Sequence, residues 1–445
     1  MKYLIQKSLI RFLKKYSIRI EKECIMERKI KILVISNNPF SKTNNNGKTL
    51  ASFFKNPKFE VSQLYFSDEK PTDNYYKNFY KISDRDILNK FLKKQKTPDN
   101  TNNNLEVNSK KINVKKNNFN RLIREVLWKL TKWKSENLIN WLDIIEPDII
   151  FFCAGDSIFA YRIYEFIFNK YNSKSIVYVT DDYILPRKTL NIAWWVRRNL
   201  IFRNMKNTLN KSDLFIVISE QMRTVYKEIF GKDSMIMTNA TKINKLEDLD
   251  NESDVLNFVY AGGLNFNRYK TLSLISDAIS KNNANNDRKA YLKIFSGTTL
   301  DDEQLKQIEK SEASKFYGFL NEKQLEVELN KADVLVHVES FDKNIVESTR
   351  LSVSTKISEY ISLSKPILAV GPGNIASMEY LSDCSLCVTN EDNIYNDIKR
   401  LINNNDLFLK ITDKVTKKKL SLKKNDPIKK LHENIIVLYK ESLGE

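Results

Sequence analysis

The chain repeats one pattern along most of its length: a short apolar run, a polar turn and then an amphipathic segment. Apolar runs of about four to eight residues that end in polar turns are typical of strands buried on both faces of a parallel sheet. Their alternation with helical segments indicates βα units, so the sequence predicts an α/β fold with parallel sheets. The runs occupy residues 31–36, 148–152, 175–179, 214–219, 258–264, 291–297, 316–319 and 333–338.

A length of 445 residues predicts two or three domains, on the expectation of about 150 residues per domain. The apolar runs fall into two groups, and the stretch between them is polar and charged. This division predicts two Rossmann-like, doubly wound domains. The expected units are a basic amphipathic helix (1–29), a first domain (30–240) with a loop rich in Asn and Lys (96–118), a linker (241–255), a second domain (256–425) and a C-terminal helix (426–445).

The segment of residues 354–369 carries the strongest functional signal. Its pattern predicts a polar loop, an amphipathic helix and then a buried strand. A helix N-terminus offers free N–H groups and a partial positive charge, to which Ser354 and Thr355 would add hydroxyl donors. Lys356 would add a full positive charge, and Glu359 follows it on a neighbouring part of the same helical face. A carboxylate that accepts the ribose hydroxyls, beside a cation that holds a diphosphate, suits a nucleotide-sugar.

These residues resemble the GT-B glycosyltransferases, most closely the retaining family 4 branch of bacterial polysaccharide assembly. In that branch a Glu lies seven residues before a Pro, and Glu359 and Pro366 keep this spacing, with Ser364 where the family usually has Gly. The family also often carries two Glu residues with seven residues between them, and Glu339 and Glu347 have that spacing. Only Glu359 is followed by the expected helix and strand. We therefore assign Glu359 to the ribose, and Glu339, at the end of its strand, remains a candidate for a sugar contact.

The resemblance covers about residues 30–440 and implies further donor contacts in the second domain. In the family this domain opens with a strand, a glycine turn and basic residues on the donor diphosphate, which Gly263 and Arg268 match. A later glycine turn, at Gly318 and Phe319, would contact the nucleotide base. The resemblance also implies a cleft between the two domains and a C-terminal helix that crosses back to the first domain. The expected donor-binding residues are Gly263, Arg268, Gly318, Phe319, Ser354, Thr355, Lys356 and Glu359.

Candidate residues of the first domain follow the ends of its predicted strands, because ligands of open α/β sheets bind outside the carboxyl ends of strands. The family usually works without a catalytic metal, so cations would stabilise the leaving diphosphate. Retention, which the resemblance implies, would let the donor phosphate take the acceptor proton, whereas inversion would need an aspartate as the base. The expected acceptor contacts are Asn46, Gly47, Thr49 and Asp156, and the expected catalytic residues are Asp181, Asp182, Arg268 and Lys356.

The net charge of +18 is unevenly distributed. Residues 1–250 contain 46 Lys and Arg against 27 Asp and Glu, a balance of +19, whereas residues 251–445 contain 27 against 28. This asymmetry predicts an anionic partner for the first half, and an acceptor linked to a polyprenyl diphosphate would satisfy it. The basic residues 1–29 would either lie on an anionic membrane surface or pack on their own domain. Nucleic acid is not expected, because the chain has no nucleic-acid-binding motif.

No apolar run approaches the roughly 20 residues that span a bilayer, and Lys and Arg interrupt the start of the chain where a signal peptide would be apolar. We therefore expect a cytoplasmic protein, which would be peripheral on the inner face of the cell membrane if residues 1–29 bind that surface. Cys384 and Cys387 have the spacing of a CxxC motif but lack a second pair or a nearby His for zinc. Neither a metal nor a cofactor is expected, only a UDP- or GDP-linked sugar as co-substrate.

The sequence thus predicts a glycosyltransferase that moves a sugar from a nucleotide-sugar to a glycan or lipid-linked acceptor in cell-surface polysaccharide biosynthesis. A nucleotide-sugar epimerase of the same fold remains an alternative, although it would need carboxylates and a His in the cleft. An inactive glycosyltransferase-like partner subunit is a second alternative, which the intact pair of Lys356 and Glu359 argues against.

Overall fold

A computed structural model describes residues 28–42, 45–92, 117–237 and 255–445. The described strands form two separate sheets in which every pairing is parallel. The predicted α/β fold of two Rossmann-like domains is therefore confirmed.

The first domain is built on seven strands. They are β1 (Ile30–Ser36), β2 (Phe59–Tyr65), β3 (Asn78–Lys81), β4 (Ile149–Ala154), β5 (Lys174–Val179), β6 (Leu214–Val217) and β7 (Met235–Ile236). Its helices are α1 (Asn45–Phe53), α2 (Asp84–Phe91), α3 (Asn118–Leu130), α4 (Glu136–Ile145), α5 (Ile158–Tyr171), α6 (Ile192–Lys211) and α7 (Glu220–Phe230). The strand order is β3-β2-β1-β4-β5-β6-β7. Every residue of β1 except Lys31 is buried, as expected for a central strand with helices on both faces.

The second domain is built on six strands. They are β8 (Leu256–Ala261), β9 (Ala290–Phe295), β10 (Ser314–Gly318), β11 (Val334–Val338), β12 (Ile367–Val370) and β13 (Leu386–Val388). The helices that follow are α8 (Arg268–Asn285), α9 (Asp302–Ile308), α10 (Glu322–Lys331), α11 (Lys343–Thr349), α12 (Lys356–Ser362), α13 (Ala376–Leu381), α14 (Ile394–Asn403), α15 (Asn405–Lys424) and α16 (Pro427–Ser442). The strand order is β10-β9-β8-β11-β12-β13, and all residues of β11 and β12 are buried.

The order of strands in each sheet fixes where a ligand can bind. The chain runs outward from β1 to β2 on one side and returns to β4 on the other, so the connections diverge between β1 and β4. The same divergence occurs between β8 and β11 in the second sheet. Such switch points leave a crevice outside the carboxyl ends of the strands, and in this protein residues from both crevices line a common cleft.

The last helix, α16, packs on the first domain rather than on the second. Leu431 and Ile435 are fully buried in the core that surrounds the first sheet. The ring Nε2 of His432 lies 2.7 Å from the carbonyl oxygen of Phe53, at the end of α1. The chain therefore returns to its first domain after it completes the second.

Three predicted segments fall almost entirely outside the described residues. They are the basic helix of residues 1–29, the loop of residues 96–118 and the linker of residues 241–255, of which only the last residues are described. Among the helices that the structure defines, none has the length and apolar character of a membrane span.

Candidate functional site

Three adjoining cavities occupy the cleft between the two domains. The N-side cavity, of about 240 Å³, lies over the ends of β1, β4 and β5 and is closed from the second domain by residues 353–358. The C-side cavity, of about 660 Å³, lies between α1 and the loops that follow β8, β9 and β10. The central cavity, of about 300 Å³, lies over the ends of β8 and β11. Ser354 and Thr355 line both the N-side and the central cavity, and Gly263 and Lys356 line both the central and the C-side cavity, so the three cavities adjoin one another.

The segment of residues 354–369 forms the predicted loop, helix and buried strand, with one correction. The helix α12 begins at Lys356 and has seven residues, whereas the sequence placed its start near Ser354. The N–H of Ser354 is already bonded to Oγ of Ser377 at 3.2 Å. Because α12 is only about two turns long, we expect its dipole to contribute less to anion binding than the side chain of Lys356 does.

Lys356 and Glu359 meet on the wall of the C-side cavity. Nζ of Lys356 lies 2.6 Å from Oε2 of Glu359, and Glu359 is buried. The hydroxyl of Tyr360, the next residue, donates to the carbonyl oxygen of Ala261 at 3.2 Å and accepts the N–H of Ala261 at 2.9 Å. These bonds hold α12 against the end of β8, so Lys356 and Glu359 have a fixed position relative to the second sheet.

The central cavity contains a buried ion pair of Arg268 and Glu339, with the ring of His337 beside it. Nη2 of Arg268 lies 2.9 Å from Oε2 of Glu339, and Nε2 of His337 lies 3.2 Å from Oε1 of the same carboxylate. Burial opposes ionisation of Glu339, but the contacts with His337 and Arg268 outweigh it and lower its pKa to about 2. Gly371 lies directly behind, where a Cβ would be 2.8 Å from Cβ of Glu339. Glu339 is therefore an ionised carboxylate that holds Arg268 at the cavity wall.

The remaining donor residues lie around the C-side cavity. Gly263 lines both the C-side and the central cavity. Phe319 lines the C-side cavity with 76% of its surface exposed, so its ring is available to a ligand. Gly318 has a φ of +75°, a conformation that favours glycine, and its carbonyl oxygen accepts the N–H of Ser296 at 2.9 Å. Gly318 thus shapes the turn that presents Phe319, and it does not itself line a cavity.

The loop and helix after β1 close the cleft from the side of the first domain. Asn46 lines the N-side and C-side cavities, and Thr49 lines the N-side cavity. Gly47 is packed against the preceding loop, where a Cβ would lie 2.3 Å from the carbonyl oxygen of Pro39 and 2.9 Å from Cβ of Ser41. Gly47 therefore permits the close approach that puts its neighbours at the cavity.

Asp156 lines the N-side cavity, and its charge is already balanced. Its Oδ2 is bonded to Nη1 of Arg121 and lies 3.0 Å from Nη2 of Arg197. Arg197 is almost completely buried and also donates to Oδ1 of Asn118 at 2.7 Å. Sequence reasoning missed both arginines, because they come from α3 and α6 and no motif or spacing connects them with Asp156.

Asp181 and Asp182, both predicted to be catalytic, lie in different environments. Asp181 lines the N-side and central cavities, and its Oδ1 accepts the hydroxyl of Ser352 of the second domain at 2.9 Å. Protein atoms of both domains surround this carboxylate although it remains open to the cleft, and this desolvation raises its pKa. Asp182 is buried and lines none of the three cavities.

The contacts of Asp182 are those of a turn, and its role in catalysis stays a prediction. Its Oδ1 accepts the N–H groups of Ile184 at 3.0 Å and Leu185 at 2.9 Å. A carboxylate that accepts two backbone N–H groups just after it in sequence stabilises a turn. Within the described ranges there is also no group of three or more His, Cys, Asp and Glu positioned to bind a metal ion.

Known proteins resemble the chain in structure and not in sequence. No protein-family model and no curated protein sequence matches it. The structure of HepE from Anabaena in complex with UDP and glucose aligns with a TM-score of 0.57 at 12% identity, over 93% of this chain and 99% of that chain. An alpha,alpha-trehalose-phosphate synthase (UDP-forming) from Burkholderia xenovorans, in complex with glucose-6-phosphate, aligns with a TM-score of 0.54 at 10% identity, over 92% and 100%.

A third solved structure extends this similarity. A point variant of TarM from S. aureus, in complex with fondaparinux, alpha-GlcNAc-glycerol and UDP, aligns with a TM-score of 0.59 at 12% identity, over 92% of this chain and 100% of that chain. Identities this low establish the fold alone. The chain therefore has the GT-B architecture, with two Rossmann-like domains that face each other across a cleft.

Proposed function

We propose that the protein is a glycosyltransferase that moves a sugar from a nucleotide-sugar donor to a glycan or lipid-linked acceptor. The observation that carries this proposal is the cleft itself, in which Arg268, Lys356 and Glu359 of the second domain lie across from Asp181 of the first. HepE and the TarM variant, which share the fold, each have UDP bound in their structures.

The donor fits the C-side and central cavities. A volume of about 660 Å³ lies in the usual range of small-molecule sites. Glu359 would accept the ribose hydroxyls and the exposed ring of Phe319 would stack on the base. Arg268 and Lys356 would hold the diphosphate, next to the backbone of Gly263, where no side chain obstructs the approach. We infer a UDP- or GDP-linked sugar.

The transfer step then needs no group that the chain lacks. The bond between the anomeric carbon and the diphosphate oxygen breaks, and the diphosphate keeps the electron pair. The acceptor hydroxyl oxygen forms the new bond to the anomeric carbon. Its proton passes to a diphosphate oxygen on the same face if the configuration is retained, which we propose, or to Asp181 if it is inverted. Arg268 and Lys356 stabilise the charge on the leaving diphosphate.

The acceptor side is the first domain. Its cavity is lined by Asn46, Thr49 and Asp156, and the first half of the chain has a net charge of +19. That charge favours an acceptor that is anionic or that lies on an anionic surface. We infer a glycan or polyprenyl-linked acceptor of cell-surface polysaccharide biosynthesis, used at the inner face of the cell membrane.

The test is a thermal-shift screen of the full chain against UDP-, GDP-, CMP- and dTDP-linked sugars. Saturable stabilisation by one nucleotide class is expected, and Glu359→Gln should abolish it. Glu379→Gln, which changes an exposed carboxylate on a nearby helix of the same domain, should keep it. If no nucleotide-sugar stabilises the protein, or if both variants respond like the wild type, the proposal is wrong.

A nucleotide-sugar epimerase is the second candidate, because His337 and Glu339 lie together on the wall of the central cavity. An epimerase is disfavoured because Glu339 forms an ion pair with Arg268. To act as a base on a sugar, Glu339 would have to leave that ion pair. The two functions are separated by incubating the protein with the nucleotide-sugar that it binds, in the absence of any acceptor. An epimerase converts the sugar while it remains linked to the nucleotide, whereas a transferase leaves it unchanged or slowly hydrolyses it.

A further inference from the structure

The helix α3 exposes an apolar stripe although its opposite face is packed. Phe119, Ile123, Val126 and Leu130 are 63%, 45%, 54% and 66% exposed. Their spacings of four, three and four residues put them on one face of the helix. On the opposite face Trp128 is buried, and its ring stacks on that of a Phe in α5 at a centroid distance of 3.7 Å. No described residue covers the stripe, so within the described part of the chain it is open to a partner.

The start of α6 extends this stripe into a larger surface. Leu190, Ile192 and Val196 are 99%, 78% and 44% exposed. The hydrogen bond from Arg197 to Asn118 joins the first half of α6 to the first turn of α3, so the two exposed sets are neighbours. We call the combined set the apolar surface; its members are Phe119, Ile123, Val126, Leu130, Leu190, Ile192 and Val196.

The two segments that carry the apolar surface are strongly basic, and Asp84 of α2, which lies 3.8 Å from Arg124, is an acidic neighbour. Residues 117–134 and 184–211 together contain twelve Lys and Arg, and their one acidic residue is Glu125. Glu125 is buried and accepts the N–H groups of Ile158 at 2.9 Å and Phe159 at 2.8 Å, so its charge is not presented to a partner. Of the cations, Lys129, Lys132, Arg203 and Lys206 are exposed and form no ion pair within the part of the chain that the structure describes.

We propose that the apolar surface and its surrounding cations dock the protein on an anionic lipid membrane. Exposed apolar side chains of a basic amphipathic helix insert at the boundary of headgroups and acyl chains, and each Lys or Arg near an anionic leaflet strengthens the binding. A second copy of the chain is a poorer occupant. A twofold interface would put the same patch on both sides, and the cations would then face each other.

The apolar surface lies next to the part of the cleft that we assign to the acceptor. Arg121 of α3 and Arg197 of α6 both pair with Asp156, which lines the N-side cavity. The membrane-facing helices thus border the part of the cleft that we assign to the acceptor, and a lipid-linked acceptor could enter it without leaving the bilayer. This last step rests on the proposed function, whereas the docking itself does not.

The test measures flotation of the full chain with lipid vesicles in the absence of nucleotide. Vesicles of phosphatidylcholine with phosphatidylglycerol should carry the wild type, and vesicles of phosphatidylcholine alone should not. Val126→Glu should lower the affinity for the mixed vesicles roughly tenfold or more, because it removes apolar contact and adds a repelled charge. The matched control is Val437→Glu on α16, where the Val is 52% exposed but has Glu433 and Glu441 one turn away on either side.

Three outcomes would overturn the docking proposal. One is a wild type that floats with neither kind of vesicle. Another is an equal loss of flotation in Val126→Glu and Val437→Glu. The third is a wild-type dimer that Val126→Glu converts to a monomer with unchanged flotation, which would make the surface a self-association interface. Thermal unfolding of both variants shows whether misfolding causes a loss of flotation. The nucleotide-sugar screen uses no lipid, so its result on the proposed function does not depend on the result for membrane docking.

Discussion

The properties of single residues in the second domain depend on their own backbone conformation and on neighbouring charges. Ser364 occupies the position at which the GT-B glycosyltransferases that the sequence resembles usually have Gly, and its φ is +55°. The left-handed conformation costs a residue with a Cβ about 1–2 kcal/mol of conformational free energy, whereas Gly has no such cost. The departure from the family pattern is therefore a local strain at the turn between α12 and β12.

Replacement of Ser364 by Gly should raise the free energy of unfolding by roughly 1 kcal/mol, because relief of the strain exceeds the extra chain entropy that Gly adds to the unfolded state. Ser362→Gly, in the last turn of α12, should lower it by about 0.5–1 kcal/mol. Urea unfolding of both variants measures the difference. A loss of stability in Ser364→Gly would mean that the conformation of this turn has been assigned wrongly.

The pH dependence of stability should report on Glu339. Its pKa is lowered from 4.5 to about 2 in the folded protein, so its ionised form stabilises the fold above pH 4.5 and that contribution is lost as the pH falls toward 2. In Glu339→Gln this loss should be absent. The variant should be less stable than the wild type at neutral pH, because buried Arg268 loses its partner, and the gap should narrow in acid.

Guanidinium unfolding midpoints between pH 7 and about pH 3 test this prediction. The difference between wild type and Glu339→Gln is the quantity of interest, since the other carboxylates titrate in both proteins. A gap that stays constant over this range would show that Glu339 has an ordinary pKa in the folded state.

Asp181 and Asp182 are adjacent in sequence and should respond differently to substitution. Asp182→Ala leaves two buried N–H groups without their acceptor and should lower the free energy of unfolding by about 2 kcal/mol or more. Asp181→Ala removes a carboxylate whose desolvation raises its pKa and disfavours its charge, so it should cost little stability. The rate of sugar transfer should fall only slightly if the configuration is retained, and strongly if Asp181 is the base of an inverting reaction. Thermal unfolding and a transfer assay on both variants decide; equal unfolding temperatures would contradict the assignment of Asp182 to the turn.

Among the secondary-structure elements, most strands were predictable, whereas β2, β3 and β7 were not predicted, and neither was the close packing. The apolar runs that became β1, β4, β5, β6, β8, β9 and β11 were visible in the sequence, because a strand buried on both faces must be continuously apolar. The position of Asp156 at a strand end was also visible. Its arginine partners were not, because α3 and α6 approach it only through the tertiary fold.

The start of α1 depends on one such packing contact. Ala at Gly47 would put its Cβ 2.3 Å from the carbonyl oxygen of Pro39, so backbone must move. We expect Gly47→Ala to lower the free energy of unfolding by roughly 1–3 kcal/mol, and to weaken acceptor binding through Asn46 and Thr49. Gly155→Ala is the control, since its Cβ would meet no atom within 4 Å and its φ is not in the left-handed region. Thermal unfolding of the two variants should separate them clearly, and equal stability would contradict the packing.

The two domains together make a site that neither holds alone. The Oδ1 of Asp181 accepts the hydroxyl of Ser352, and Oγ of Ser219 donates to the carbonyl oxygen of Leu351 at 3.0 Å, so the first domain touches the second directly beside the cavities. The return of α16 to the first domain adds a second connection. The grouping of apolar runs predicted the two domains and the family resemblance predicted the cleft, but contacts between residues so far apart in the chain have no local signal.

The central claim is that the second domain binds a nucleotide-sugar through Lys356 and Glu359. Calorimetric titration of the full chain with UDP and with GDP tests it most directly, with Glu359→Gln and Glu379→Gln as the paired variants. We predict saturable binding of one nucleotide by the wild type and by Glu379→Gln, and at least a tenfold weaker affinity in Glu359→Gln, the loss of about 1.4 kcal/mol or more expected for a charged hydrogen bond. Equal affinity in all three proteins, or no binding of either nucleotide, would contradict the account.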